Sequence, residues 1–299
     1  ERSQLNPFEF IGTLVNPAGF EQLPEHLQEL IGTHAAGETR LLGKRTGQMH
    51  LALASGEEEA FKPEPFSLHY QRSLYSHMQS LLREAFQNLN RYQKKATGDL
   101  AKKAELILSQ RSVLLEEMKK IYAKKLDVIK IRIHGNYHLS QVLLTGKDMA
   151  IQDYGGDAAR SYSERRLKRA AFRDVASMVT SIYEVTLESF RNNDHISKES
   201  HADLLPFSSL WAHYISGIFI NSWKETVKGS KLIPADPEDL SMMLQNYLLL
   251  QILNKLSYDV NYHEEKTPVS FDIILSLLKL DNQPQHAVAE AVGAVAKSS

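Results

Sequence analysis

The chain contains no cysteine. That excludes disulfides and thiolate metal sites and fits a reducing compartment, so a cytoplasmic location is expected. Neither sign of charge is in excess, with 35 Lys and Arg against 36 Asp and Glu. A non-specific nucleic-acid binder needs a surplus of positive charge, so nucleic acid is not an expected partner. No apolar run approaches the roughly 18 residues of a membrane span, so no membrane partner is expected either. The opening residues, Glu1 to Pro7, are neither a signal peptide nor an initiator methionine. The chain is therefore expected to be a fragment of something longer.

An apolar content of 42% over 299 residues suffices for one large domain or two small ones. Pro7, Pro17 and Pro24 punctuate residues 1–34. That segment is expected to be a linker, with a short helix after Pro24. A helix over 35–54 follows, and a longer one is expected to start near Pro65, since proline suits a first turn. Its apolar stripe runs through Phe66, Tyr70, Leu74, Met78, Leu81, Leu82 and Phe86. Helical spacing from Leu100 to Ile121 predicts a further helix over 98–127.

Over 128–134 the period changes. Ile129, Ile131 and Ile133 alternate with Lys130 and Arg132, which is strand behaviour. Residues 141–145 and 149–153 read as two short strands joined by a turn at Thr145-Gly-Lys-Asp148. Helices resume over 172–192, 207–228, 237–258 and 270–280. In the third of these stretches before the end, Trp211, Tyr214, Phe219 and Trp223 fall near helical spacing and are expected in the core, with stacking on a sugar ring as the alternative. Residues 281–299 read as a C-terminal tail. The expected fold is mostly α, with a small β-hairpin carrying the chemistry.

That chemistry is phosphoryl transfer, which needs an acceptor group to orient the attacking hydroxyl and oxygen ligands to hold magnesium against phosphates. His134-Gly-Asn136 ends one strand, Gln141 starts the next and Asp153 ends the third. A hairpin would bring Asn136, Gln141 and Asp153 to one edge. Asp153 can ligate magnesium as an anion and Gln141 through its carbonyl oxygen. His134 and His138 have an H-x-x-x-H spacing, but on a strand end and a loop, with no third ligand, so packing and loop hydrogen bonds are the expected role of His134 rather than zinc. Arg165, Arg166, Lys168 and Arg169 form a basic cluster, either a solvated face or a contact for phosphates or an acidic partner.

These segments together resemble the maltokinases, including those fused behind bacterial trehalose synthases, within the aminoglycoside-phosphotransferase-like kinases. The family pattern reads H-G-D-x-H-L-G-Q-V-L, then I-D-F-E-G-E-P-A-R, then S-E-R-R-x-K-R and R-D-V-A-G-M. Residues 134–143 read HGNYHLSQVL, residues 152–160 QDYGGDAAR, residues 163–169 SERRLKR and residues 173–178 RDVASM. Residues 42–54 and 66–75 also resemble the family, and the likeness runs over roughly 25–280. It implies a kinase-like helical C-lobe over 35–280. Asn136, with His134, would stand at the catalytic position; Gln141 and Asp153 would hold Mg2+; Asp174 would brace the loop. ATP would be the donor, maltose or a related small sugar the acceptor and maltose 1-phosphate the product, feeding glucan synthesis. A nucleotide-binding N-lobe, and a fused trehalose synthase domain, would belong to the same parent chain.

Asn136 replaces the family's Asp, and losing a general base typically lowers rate by about 10²–10⁴-fold. Gly155 replaces a Glu beside the metal position, Ala158 a Pro, and Ser140 a Gly whose backbone freedom the loop would need if φ were positive. No lysine-bearing N-terminal sheet is present, so the fragment alone is expected to be inactive. Gly37–Lys44 ends in Gly-Lys, but its glycines are too far apart for a P-loop and it lies in a predicted helix. The alternative expectation is a degenerate pseudokinase module that binds sugar or scaffolds a fused trehalose synthase.

Overall fold

In the computed structural model, which describes residues 11–193 and 198–282, Gly32 adopts φ 80° between helices α1 (Glu25–Ile31) and α2 (Thr33–Ala54). Only glycine takes that conformation without strain, so one residue stops the first helix and starts the second. The segment expected as a linker is packed. Leu14, Phe20, Leu23, Leu27 and Ile31 are all buried, and Asn221 Nδ2 donates to the Pro17 carbonyl at 3.0 Å. Removing those apolar side chains from water outweighs the loop character that proline punctuation suggests.

The strand β1 (Glu64–Pro65) occupies the place where a helix start was expected. The helix α3 (Leu68–Gln93) begins after Ser67, whose hydroxyl accepts from the Tyr70 amide. A serine cap satisfies a free amide, which proline at a first turn cannot do. The single helix expected over 98–127 is broken at Gln110 (φ −82°, ψ 3°) into α4 (Gly98–Ser109) and α5 (Arg111–Lys119), followed by a 3-10 turn over Lys120–Tyr122. The break turns the apolar stripe so that Ala104, Ile107, Leu114, Met118 and Ile121 all reach the core.

Strand β2 (Ile129–Lys130) pairs antiparallel with β1. It is shorter than the expected 128–134 strand. Ile131 instead exchanges both backbone hydrogen bonds with Arg169, N to O at 2.9 and 2.8 Å. Strands β3 (Val142–Leu144) and β4 (Met149–Ile151) form the expected hairpin. Its turn closes with the Thr145 amide on the Asp148 carbonyl at 2.8 Å, and Gly146 has φ 88°.

A single turn, α6 (Tyr162–Arg165), leads to α7 (Phe172–Arg191), α8 (Lys198–Val227), α9 (Pro237–Tyr262) and α10 (Thr267–Asn282). The central α7 packs on α8, α9 and α10. Phe172, Tyr183, Phe219, Trp223 and Phe271 are fully buried around it. Each large apolar side chain so buried contributes about 1.5–3 kcal/mol before entropy is counted. Helices α2 and α8 approach closely through Gly43 and Gly47: a methyl on Gly43 would lie 2.5 Å from the Phe219 carbonyl oxygen. Among the described residues no helix is long and apolar enough to cross a membrane. Of the tail expected over 281–299, the first two residues end α10, and residues 283–299, like residues 1–10, lie outside the described residues.

Candidate active site

Asp174 lies in the first turn of α7 and is buried. Its Oδ2 accepts from the His134 amide at 2.8 Å and its Oδ1 from the Gly135 amide at 3.0 Å. A third donor comes from His50 Nε2, 3.2 Å from Oδ2. His50, on α2, is fixed in turn by Trp223 of α8, whose indole N–H donates to Nδ1 at 3.0 Å. An indole nitrogen only donates, so Nδ1 of His50 must accept and Nε2 must carry the proton that Asp174 receives. A buried carboxylate with three donors is well compensated for desolvation.

Both ring nitrogens of His134 are occupied by backbone. The Asn136 amide donates to Nδ1 at 3.4 Å, and Nε2 faces the Gln152 carbonyl at 2.8 Å. With Nδ1 accepting, Nε2 is the donor. His134 therefore ties the loop to the end of β4, and no nitrogen is left for a substrate. In this geometry His134 packs and hydrogen-bonds within the loop.

Asn136 stands between two anchors. On one side Gly135 adopts φ 83°, where its α-carbon faces Gly156: a methyl on Gly135 would sit 3.5 Å from the Gly156 α-carbon. On the other side Tyr137 is fully buried. Its hydroxyl lies 2.7 Å from Thr46 Oγ1, which itself donates to the Leu42 carbonyl at 2.8 Å. Burial pushes the Tyr137 phenol well above its ordinary pKa, so it stays protonated and donates to Thr46. Asn136 is half-buried, and its side-chain amide forms no hydrogen bond among the described residues.

The β3–β4 hairpin brings the two expected metal ligands together. Gln141 Nε2 lies 3.3 Å from Asp153 Oδ2 and 3.5 Å from His138 Nε2. Beneath them the Gln152 amide donates to the Gln141 carbonyl at 3.0 Å. Asp153 has φ 61°, the one non-glycine residue with positive φ among the described residues. Aspartate tolerates that region better than most side chains, yet the conformation is strained. Ser140 is not in the left-handed region, so the loop does not need the glycine that the family places there. Partial burial, then the neighbouring His134 ring, hold the His138 pKa below its usual value.

Among the described residues no group of three or more His, Asp or Glu side chains is placed to hold a metal. One carboxylate and one amide oxygen fit magnesium only where phosphate oxygens and water complete its shell. Gly155 offers no side chain beside them. A methyl there would lie 3.3 Å from Asp153 Oδ1.

The basic segment after the hairpin is not one solvated face. Lys168 is buried and reaches the Glu59 carbonyl at 2.8 Å and the Glu64 carboxylate at 3.1 Å. Arg165 lies over Gly156 and donates to the Gly155 carbonyl at 3.1 Å. His50, Trp223 and Thr46 were not expected at the site. No spacing in the sequence points to them, since His50 is 124 residues from Asp174 and 173 from Trp223. Of the four aromatics on α8, Tyr214, Phe219 and Trp223 are buried, as expected of a core stripe, while Trp211 is half-buried.

No family model matches the sequence. Among solved structures, two crystal forms of a glucosamine kinase superpose with a TM-score of 0.63 over 85% of this chain at 19% identity. A glucosamine kinase in complex with glucosamine, ADP and inorganic phosphate gives 0.62 at the same identity and coverage. The chain has the fold of a sugar kinase's larger part. It spans 58%, 57% and 60% of those three chains. The kinase-like helical lobe expected from the sequence is the observed architecture, with the hairpin at its edge.

Proposed function

We propose that this chain carries the acceptor- and metal-binding lobe of a sugar kinase, and that maltose is the acceptor and maltose 1-phosphate the product. One observation carries the reading: Gln141 and Asp153 are held side by side next to a loop that Asp174 and Tyr137 pin on either side of Asn136. The Asn136 carbonyl would accept a hydrogen bond from the attacking sugar hydroxyl, and Gln141 and Asp153 would hold magnesium. That ion, when bound, neutralises charge on the transferred phosphoryl group. In the transfer the hydroxyl oxygen bonds to the γ-phosphorus of ATP, the bond to ADP breaks, and the proton leaves to the phosphoryl oxygens or water. An amide cannot take that proton, so Asn136 orients and does not deprotonate. A loose transition state makes such a site workable, if slow. Nucleotide cover would come from a lobe outside these 299 residues, and a trehalose synthase domain would be fused in the same parent protein.

A second reading rests on Asn136 and Gly155 together. Without a base, and without a carboxylate beside Asp153, the lobe would bind sugar or scaffold its parent without turnover. The test is maltose 1-phosphate formation by the full-length gene product with ATP and magnesium, beside its Asn136→Asp form. Product from the unchanged protein supports the kinase. Silence there with activity in Asn136→Asp supports the second reading. Silence in both removes maltose as the acceptor.

A further inference from the structure

A cavity of about 360 Å³ lies where the β1–β2 pair meets the basic segment that follows the hairpin. Lys130, Arg132, Arg166, Lys168 and Arg169 all line it. Backbone holds the two segments side by side. Ile131 and Arg169 exchange both of their backbone hydrogen bonds, and Arg132 Nη1 donates to the Arg166 carbonyl at 3.1 Å. None of His134, Asn136, Gln141 and Asp153 lines this cavity.

Two carboxylates line it, Glu59 and Glu64. The β1–β2 register sets Glu64 opposite Lys130, and its carboxylate bridges two ammonium groups, Lys130 at 2.8 Å and Lys168 at 3.1 Å. Those hydrogen bonds, Lys130 first, hold the Glu64 pKa below its usual value. A third carboxylate, Glu164, acts on Arg169 from outside the cavity. Set all three against the five cations and two positive charges remain. They fall to Arg132 and Arg166, which make no ion pair among the described residues. Each guanidinium rests on an aromatic face instead, Arg132 at 5.9 Å from the Phe61 ring centre and Arg166 at 5.4 Å from that of Tyr162. Stacking orients the guanidinium and leaves its N–H edge open to acceptors.

Lys168 adds a buried donor, being only 9% exposed. Its ammonium has three protons and two acceptors, the Glu59 carbonyl and the Glu64 carboxylate, so one N–H has no acceptor among the described residues. An ammonium so buried is costly unless its remaining proton is met. The cleft of about 1240 Å³ at the start of α9 is different. It is lined by five lysines and five carboxylates, and Lys120, Lys124, Lys228 and Lys231 each pair with one.

We propose that the smaller cavity is an oxyanion site that takes a phosphate group, free or carried on a small molecule, between the guanidinium groups of Arg132 and Arg166 and the remaining N–H of Lys168. A guanidinium fork matches the oxygens of phosphate in pairs, and a phosphate dianion would cancel the two uncompensated charges. The site needs neither ATP nor turnover, so it stands apart from the phosphoryl-transfer reading.

The test is calorimetry of the chain with inorganic phosphate, with chloride at equal ionic strength as reference. Phosphate should bind the unchanged protein saturably. Arg132→Gln and Arg166→Gln should each weaken binding about tenfold or more, the loss expected of a charged hydrogen bond. Lys228→Gln, which removes the same charge from the balanced cleft, should leave binding unchanged. Arg166 is exposed, so should Arg132→Gln fail to fold, Arg166→Gln decides alone. Glucose 6-phosphate binding at least as tightly as phosphate would assign the cavity to a phosphorylated small molecule. Binding of phosphate alone would assign it to the free anion. No binding by the unchanged protein, binding that the arginine substitutions leave intact, or an equal loss in Lys228→Gln overturns the proposal.

Discussion

The indole N–H of Trp223 lies 3.0 Å from Nδ1 of His50, and this single contact decides what Asp174 can do. With Nδ1 accepting, the proton of His50 sits on Nε2 and points to the carboxylate. A core aromatic on α8 thus sets the tautomer that supports the loop at Asn136. Trp223→Phe keeps an aromatic side chain but deletes the donor, together with part of the buried indole. It should destabilise the fold by about 1–3 kcal/mol, the range for a buried acceptor left unpaired. Chemical denaturation measures this; an unchanged midpoint would show that the bond does not matter.

Asp174→Asn places an amide where three donors converge. Its NH2 must face an N–H, so at least one buried donor is stranded, at about 1–3 kcal/mol. The amides of His134 and Gly135 should exchange hydrogen faster than in the unchanged protein, while those of α9 follow only the global loss. Equal acceleration everywhere would argue against a local brace.

Asp153 has φ 61°. Alanine in that region is disfavoured by about 1–2 kcal/mol, whereas glycine is not. Asp153→Gly should therefore be more stable than Asp153→Ala by roughly 1 kcal/mol. Equal stability would mean that the backbone relaxes out of the left-handed region.

Gly43→Ala would put a methyl 2.5 Å from the Phe219 carbonyl oxygen. Because the obstacle is backbone, α2 and α8 must separate. Overpacking of this kind typically costs about 1–3 kcal/mol. Gly37→Ala, on the same helix with nothing within 4 Å, should be neutral or stabilising by about 0.4–1 kcal/mol. Comparing the two melting points checks the claim.

Asp148, at the hairpin turn, pairs with Arg45 at 2.7 Å. The Arg45 hydrogen bond first, then the Met149 amide, hold its pKa down to about 2 from 3.8. A depressed carboxylate stabilises the fold above its unfolded pKa and loses that contribution as pH falls through the folded one. The pairing should thus persist at pH 4 and above and fade as the pH falls towards about 2. Carbon-detected NMR titration of Asp148 should give a midpoint near that value, moving up in Arg45→Met.

Much of the architecture was legible in the sequence. The helical period, the switch to alternation at Ile129–Ile133 and the turn at Thr145–Asp148 are local patterns, and local backbone preferences write them directly. The break at Gln110 and the strand at Glu64–Pro65 were not legible. Both are set by what the segment packs against: β1 exists only because Ile129 and Lys130 lie opposite it. The short helix after Pro24 was legible as well, but the burial of Leu14, Phe20 and Leu23 before it is set by packing in the same way.

At the site, the sequence by itself determined which residue types stand in one loop and hairpin, His134, Asn136, Gln141 and Asp153, because a short stretch of chain must hold them near each other. Their working geometry came only with the tertiary structure. His134 spends both nitrogens on backbone, Asp174 gathers donors from two other segments, and Trp223 selects the His50 tautomer. Those relationships join residues up to 173 positions apart. No spacing encodes them, since hydrogen-bond partners across a core are chosen by how helices pack, and helix packing is decided by the whole buried surface at once.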